Sequence, residues 1–294
     1  MTAARVLTAL VLIPIVVGLV WWGPPALVAV LAAMVLLLAL YEFFRLAERA
    51  GLRGYWRWTS VCAAGLIYAQ WEASQVETHP LSGGLELVRN AGQINLSSES
   101  VFLVFLFGVA WIALVGRRPI MEILPGAAAS AAAMVFVALP FSYLVRIDGS
   151  APPSNDHLGK QLVLFTLALV WAGDTGAYFV GRSIGRKPMA PALSPKKTWE
   201  GAAGNVLASL IVAIPFARWM EAELLPLLLA ALLANIAGQM GDLFESAYKR
   251  AAGVKDSGAL LPGHGGMLDR IDSLIFAAPV MWCYVGWWFW RGHG

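Results

Sequence analysis

Residues 6–41 contain no Asp, Glu, Lys or Arg. One helix needs only about 20 apolar residues to cross a hydrocarbon core, so this run is long enough for two. Gly23-Pro24-Pro25 interrupts it where a tight turn would fall, because Pro cannot continue a helix and Gly eases the reversal. Further charge-free runs cover 58–71, 100–116, 123–145, 201–217, 224–241 and 273–290, and 161–181 is interrupted only by Asp174. The pattern predicts an all-α, polytopic integral membrane protein of about nine transmembrane helices, the third (58–71) being short for a span. About five helices fall within 1–150 and the rest within 151–294, where the chemistry is expected, in one integral-membrane unit. Charged residues make up 13% of the chain, against roughly 25% in soluble domains. Most of the surface must therefore meet lipid rather than water.

The loops carry their own signal. Arg5, then Arg45, Arg49, Arg53 and Arg57, then Arg117 and Arg118 belong to one alternating set of connections. Arg182, Arg186, Lys187, Lys196, Lys197, Lys249, Arg250, Lys255 and Arg270 continue it. Only Arg89, Arg146, Lys160, Arg218 and Arg291 fall in the other set. The positive-inside rule then predicts a cytoplasmic N-terminus and an outside C-terminus, which nine helices satisfy. The first apolar run lacks a small-residue cleavage site and ends at Trp21-Trp22, so a retained helix is expected rather than a signal peptide. Cys62 and Cys283 lie in apolar runs and predict two buried free thiols, with no zinc spacing. No basic patch interleaved with base-stacking aromatics suggests nucleic acid.

Residues 246–272 are the exception among the loops. They pack Lys249, Arg250, Lys255, Asp256, His264, Asp269, Arg270 and Asp272 around Gly263, Gly265 and Gly266. Cations and exposed backbone N–H groups suit phosphate; clustered carboxylates suit a hard divalent metal. If the helix over 224–241 continues, Asp242, Ser246 and Lys249 share one face, and Asp269 and Asp272 share another at the start of the last helix. Lys249 could equally form an ordinary pair with Glu245 one turn away. Asp174 inside an apolar run costs about 2.5–3.5 kcal/mol on insertion scales, so a cavity, cation or hydrogen-bond partner is expected beside it. Lys196 and Lys197, in Ser194-Pro-Lys-Lys-Thr-Trp-Glu-Gly201, would bind phosphate or merely face anionic headgroups. His264 would bind phosphate or orient its loop. Neither a Walker A sequence nor a Ser-His-Asp set is present.

The run resembles the phosphatidate cytidylyltransferase, or CDP-diacylglycerol synthase, family. Ser246, Lys249, Arg250, Lys255, Asp256, Gly258, Leu261, Pro262, His264, Gly265, Gly266, Asp269, Arg270 and Asp272 all stand where the family's signature requires them. Trp171-Ala-Gly-Asp-Thr-Gly-Ala-Tyr178 and the Lys196–Lys197 segment resemble the family too. The resemblance implies transfer of CMP from CTP to phosphatidic acid, giving CDP-diacylglycerol and pyrophosphate in phospholipid biosynthesis. It implies Mg2+, with K+ beside it, a homodimer, and the bacterial cytoplasmic (inner) membrane. Asp242, Asp269, Asp272 and Asp174 would hold metal, and Asp242, Lys249, Asp269 and Asp272 would be catalytic. Lys196, Lys197, Ser246, Arg250, Lys255, His264, Gly265, Gly266 and Arg270 would bind substrate. A transporter would also use Asp174, but transport leaves the glycine–cation run unexplained. A CTP-dependent lipid kinase would release CDP instead of pyrophosphate.

Overall fold

The computed structural model describes residues 2–75, 78–81, 84–87, 96–150, 155, 157–258 and 265–290. The fold is all-α apart from two short hairpins. In chain order the elements are α1 (Thr2–Trp22), α2 (Pro25–Arg49), α3 (Trp56–Ser74), β1 (Thr78–Leu81), β2 (Gly84–Leu87), α4 (Ser98–Val115), α5 (Ile120–Ala133) and α6 (Leu139–Asp148). These are followed by α7 (Leu158–Ile184), β3 (Pro188–Ala190), β4 (Ser194–Thr198), α8 (Trp199–Trp219), α9 (Leu224–Ala251) and α10 (Leu268–Trp290). A single π-helical stretch, Met134–Ala138, joins α5 to α6 into one rod. Pro140 lies just beyond it; it has no N–H to give, and the wider turn accommodates the missing bond.

Among the described residues, seven helices are long and apolar enough to cross a membrane: α2, α4, the α5–α6 rod, α7, α8, α9 and α10. The described apolar part of α1, Leu10–Trp22, is shorter, and α3 is 19 residues long with polar ends. Large apolar side chains point outward along the rods; Leu114, Ile120 and Met121 are each more than 80% exposed. Water would not stabilise that surface, whereas lipid would. Cys62 is buried, but Cys283 is exposed on α10. The expectation of two buried thiols is thus corrected, because an apolar neighbourhood in sequence includes the lipid-facing side of a helix.

Two apolar cores share α10. Leu268, Ile271, Leu274, Ile275 and Ala278 pack with α2, α3, α4 and the α5–α6 rod. Ala277, Met281, Tyr284, Val285 and Trp288 pack with α1, α7, α8 and α9. The helix that begins in the polar run is therefore the centre of the bundle. The connections sort to two ends. At one end Lys160 Nζ donates to the carbonyls of Trp21 (3.2 Å) and Gly23 (2.9 Å), and Gln161 donates to that of Trp219 (3.4 Å). At the other end Arg250 of α9 reaches the turn of the hairpin after α7, Glu42 of α2 reaches Ser257 after α9, and the polar cluster lies there.

Candidate active site

Close approach of α9 to α10 builds the centre. A Cβ on Gly241 would lie 2.5 Å from the Asp272 carbonyl, and one on Gly238 3.2 Å from the Ser273 carbonyl. These glycines let the two backbones touch. α9 continues unbroken past Gly241 to Ala251, so Asp242 and Glu245 face Asp272 across the contact. Ligand oxygens of Asp242, Glu245 and Asp272 lie within 4.8 Å of one another. Glu245 is 4% exposed, and its Oε1 is buried without a hydrogen-bond partner. Three hard oxygen donors so close, one of them orphaned, fit a divalent ion such as magnesium, which takes oxygen ligands at about 2.1 Å. With no Cys or His in the trio, zinc is a poor match.

Each pole of this cluster is tied to a cation. Lys197 Nζ sits 2.5 Å from Asp242 Oδ2. Lys249 Nζ bonds Glu245 Oε2 at 2.6 Å and Asp269 Oδ1 at 2.7 Å, with all three side chains largely buried. The Glu245–Lys249 pair is therefore no surface pair; it is buried within α9, and Lys249 extends it to Asp269 of α10 as a strut between the two helices. Asp269 stands apart from the carboxylate trio. Its oxygens accept from Lys249, from Ser257 N (3.1 Å) and from Gly266 N (2.8 Å). It organises the α9–α10 loop. Gly265 supports this by adopting φ +80°, a conformation glycine takes without cost.

Sequence reasoning missed Glu42. This α2 residue is 2% exposed, yet its Oε2 accepts from Leu268 N (2.8 Å) and Ser257 Oγ (3.0 Å). It caps the first turn of α10, where a carboxylate meets unpaired N–H groups and the positive end of the helix dipole. A Cβ on Gly258 or on Gly266 would collide with its carboxylate. Two signature glycines are thus small because Glu42 occupies the space. Register does not single it out: Glu42 stands three and four residues from buried Ala39 and Leu46 but also three and seven from exposed Arg45 and Arg49. Glu245 likewise reads in sequence as the ordinary partner of Lys249 one turn on.

Beside the trio a cavity of about 300 Å³ opens between α7, α8 and α9. Asp174, Tyr178, Lys196, Lys197, Asn205, Gln239 and Asp242 line it. α7 and α8 frame it by close packing: a Cβ on Gly176 would lie 2.5 Å from the Gly204 carbonyl. The β3–β4 hairpin, antiparallel with Pro188 opposite Thr198, holds both lysines over the cavity. Thr198 caps α8 by accepting from Gly201 N at 3.1 Å, and Glu200 accepts from Arg186 N and Lys187 N. What looked like a plain basic loop is a hairpin clamped to a helix start.

The remaining candidates are more dispersed. Arg250 donates through Nε to the Leu193 carbonyl and through a terminal nitrogen to that of Val254, joining the hairpin to the α9–α10 loop. Ser246 is buried on α9; Lys255, Asp256 and Arg270 are exposed. None of these five lines the cavity. His264 lies outside the described residues.

The sequence matches the profile of the Cytidylyltransferase family over residues 3–288. The chain belongs to the cytidylyltransferase family. Relatives in this family include the phosphatidate cytidylyltransferase of Bacillus subtilis, 40% identical over 152 residues, which is 51% of this chain and 55% of that protein. That of Haemophilus influenzae is 42% identical over 131 residues, covering 42% and 46%. The YnbB protein of Escherichia coli is 48% identical over 135 residues, covering 46% and 45%. The chain thus spans about half the length of the curated relatives it matches. Carboxylates beside a lysine-lined cavity are the residue types that a hard metal ion and phosphate groups would each require.

Proposed function

We propose that this chain is a CTP:phosphatidate cytidylyltransferase of the bacterial cytoplasmic membrane. The observation that carries the reading is the Asp242–Glu245–Asp272 trio, whose Asp242 lines the Lys196–Lys197 cavity, at one end of an apolar helical bundle. The names of the relatives supply the substrates, CTP and phosphatidate. A phosphate monoester oxygen of phosphatidate attacks the α-phosphorus of CTP. The new P–O bond forms as the bond to the β-phosphate oxygen breaks, and pyrophosphate leaves with the electron pair. The monoester is already ionised near neutral pH, so no strong base is needed and the chain acts by positioning and charge neutralisation.

Lys196 and Lys197 meet the nucleotide phosphates. Lys197 is aimed by Asp242, and the hairpin keeps both at the cavity mouth. Lys249 works differently from a phosphate ligand: held by Glu245 and Asp269, it keeps α9, α10 and the loop in register. Asp242, Glu245 and Asp272 would hold magnesium, with Asp174 facing them from the cavity wall. When bound, the ion supplies Lewis-acid charge to the phosphate oxygens.

The test is detergent-purified protein with phosphatidate, magnesium and CTP labelled in the α-phosphate. Label should enter lipid in step with pyrophosphate release, and EDTA should stop both until magnesium is restored. Lipid phosphorylation with release of CDP would replace this reading by a kinase, and absence of any transfer by folded protein would defeat it.

A further inference from the structure

A hydrogen-bonded chain of carboxamides with a dictated direction runs behind the cavity, which its Asn205 and Gln239 line. At one end Ser209 Oγ donates to the Leu169 carbonyl at 3.0 Å. Its oxygen must then accept from Asn235, whose Nδ2 lies 2.6 Å away and also bonds Asn205 Oδ1. At the other end Gln239 Nε2 donates to Asn235 Oδ1 at 2.7 Å and to the Ala202 carbonyl at 3.4 Å. A backbone carbonyl only accepts, so neither end can be reversed. Gly173 permits the arrangement, since a Cβ there would collide with Asn205 Oδ1. Two groups make no hydrogen bond among the described residues: Asn205 Nδ2, a donor, and Gln239 Oε1, an acceptor. Both residues line the cavity.

A preset donor and a preset acceptor lining one cavity select ligands. Ionised phosphatidate offers phosphate and ester oxygens, which are all acceptors, and leaves Gln239 Oε1 without a donor. An amino-nucleobase offers an exocyclic N–H next to a ring-nitrogen acceptor. Uracil presents a carbonyl next to an N–H, the reverse. We propose that Asn205 and Gln239 form the nucleobase subsite, Gln239 Oε1 accepting from the cytosine amine and Asn205 Nδ2 donating to the ring nitrogen. This rests on the cytidylyltransferase reading, which selects cytosine from the amino-bases. Gln239 lies three residues from Asp242, about 4.5 Å along the helix axis, so a base seated there leaves its phosphates near Asp242 and the two lysines.

The experiment compares kcat/KM for CTP and UTP at fixed phosphatidate, with calorimetric binding of both nucleotides in magnesium, for wild type, Gln239→Leu and Asn205→Asp. Wild type should also be assayed with N4,N4-dimethyl-CTP, which lacks the amine hydrogens and requires no altered protein. The expected result is a fall of about tenfold or more in the CTP/UTP ratio for each variant, and a comparable loss for the dimethylated nucleotide, because a polar site strongly rejects the analogue that leaves its groups unpaired. Equal losses for CTP and UTP, or undiminished use of the dimethylated nucleotide, would overturn the subsite while normal wild-type turnover left the reaction standing. Binding that prefers CTP and loses that preference in the variants, without transfer to phosphatidate, would uphold the subsite and remove the reaction. Failure to bind either nucleotide would overturn both.

Discussion

Lys249 shows how the site is balanced residue by residue. Its ammonium is shared by two buried carboxylates, Glu245 at 2.6 Å and Asp269 at 2.7 Å. Removing one member of such a set leaves charge buried without a partner, which costs about 3–5 kcal/mol. Lys249→Met is therefore expected to lower the thermal midpoint of the detergent-solubilised protein markedly and to abolish turnover. Thermal unfolding followed by circular dichroism would show it, and an unchanged midpoint would mean that the strut contributes nothing. Asp242→Asn should behave differently. Asp242 is partly open to the cavity and pairs with Lys197 rather than with a packed core residue, so the fold should persist. Turnover should fall about 100-fold or more if the trio holds the metal that neutralises phosphate charge. The same labelled-CTP assay and the same unfolding measurement separate the two variants.

Between elements, glycines decide the distances and Glu42 decides the loop. Gly241 brings α9 against the Asp272 carbonyl at van der Waals limits. Gly241→Val would push the helices apart and spread Asp242 from Asp272. The expected outcome is loss of turnover with a raised requirement for magnesium, measured by titrating the metal. Glu42 reaches from α2 to the start of α10 and to Ser257, more than 200 positions away in the chain. Glu42→Ala leaves the Leu268 N–H buried and unpaired, a loss of about 1–3 kcal/mol. It also frees the space that keeps Gly258 and Gly266 small. The α9–α10 loop should then become more accessible, seen as faster proteolysis or amide exchange over the segment after Ala251. Unchanged exchange there would show that Glu42 does not hold the loop.

In the molecule as a whole, α10 joins two cores and carries Asp269 in its first turn and Asp272 one turn on. The site thus stands on a rod packed on two sides, at the edge of the apolar slab. The clustered loops of the site should face the cytoplasm, where nucleotides are. Alkaline phosphatase fused after Gly294 is expected to be active in cells, as an outside C-terminus requires, and a polar maleimide should label a cysteine introduced at Lys196 only after the membrane is opened. Inactive fusion with accessible Lys196→Cys from outside would reverse the orientation.

Helical class and the approximate positions of the rods were legible because apolar run length and loop charge are local properties of the chain. The concentration of charges and glycines in 246–272 was legible too, since it departs from every other loop of the chain. The lysines at 196 and 197 were also visible. Their hairpin was not, because Pro188 and Thr198 pair through backbone bonds that no side-chain pattern announces. Glu42, Glu245, Asn205 and Gln239 were hidden for a different reason: each is a single polar residue on a helix face, and its meaning depends on what another helix places opposite. Sequence by itself determined which segments are apolar enough to form the rods and which segment concentrates charge and glycine. Only the tertiary structure decided which carboxylates lie within reach of one another, which one accepts from the N–H groups of Ser257 and Gly266, and which amides line the cavity, because those placements are set by contacts between helices that are far apart in the chain.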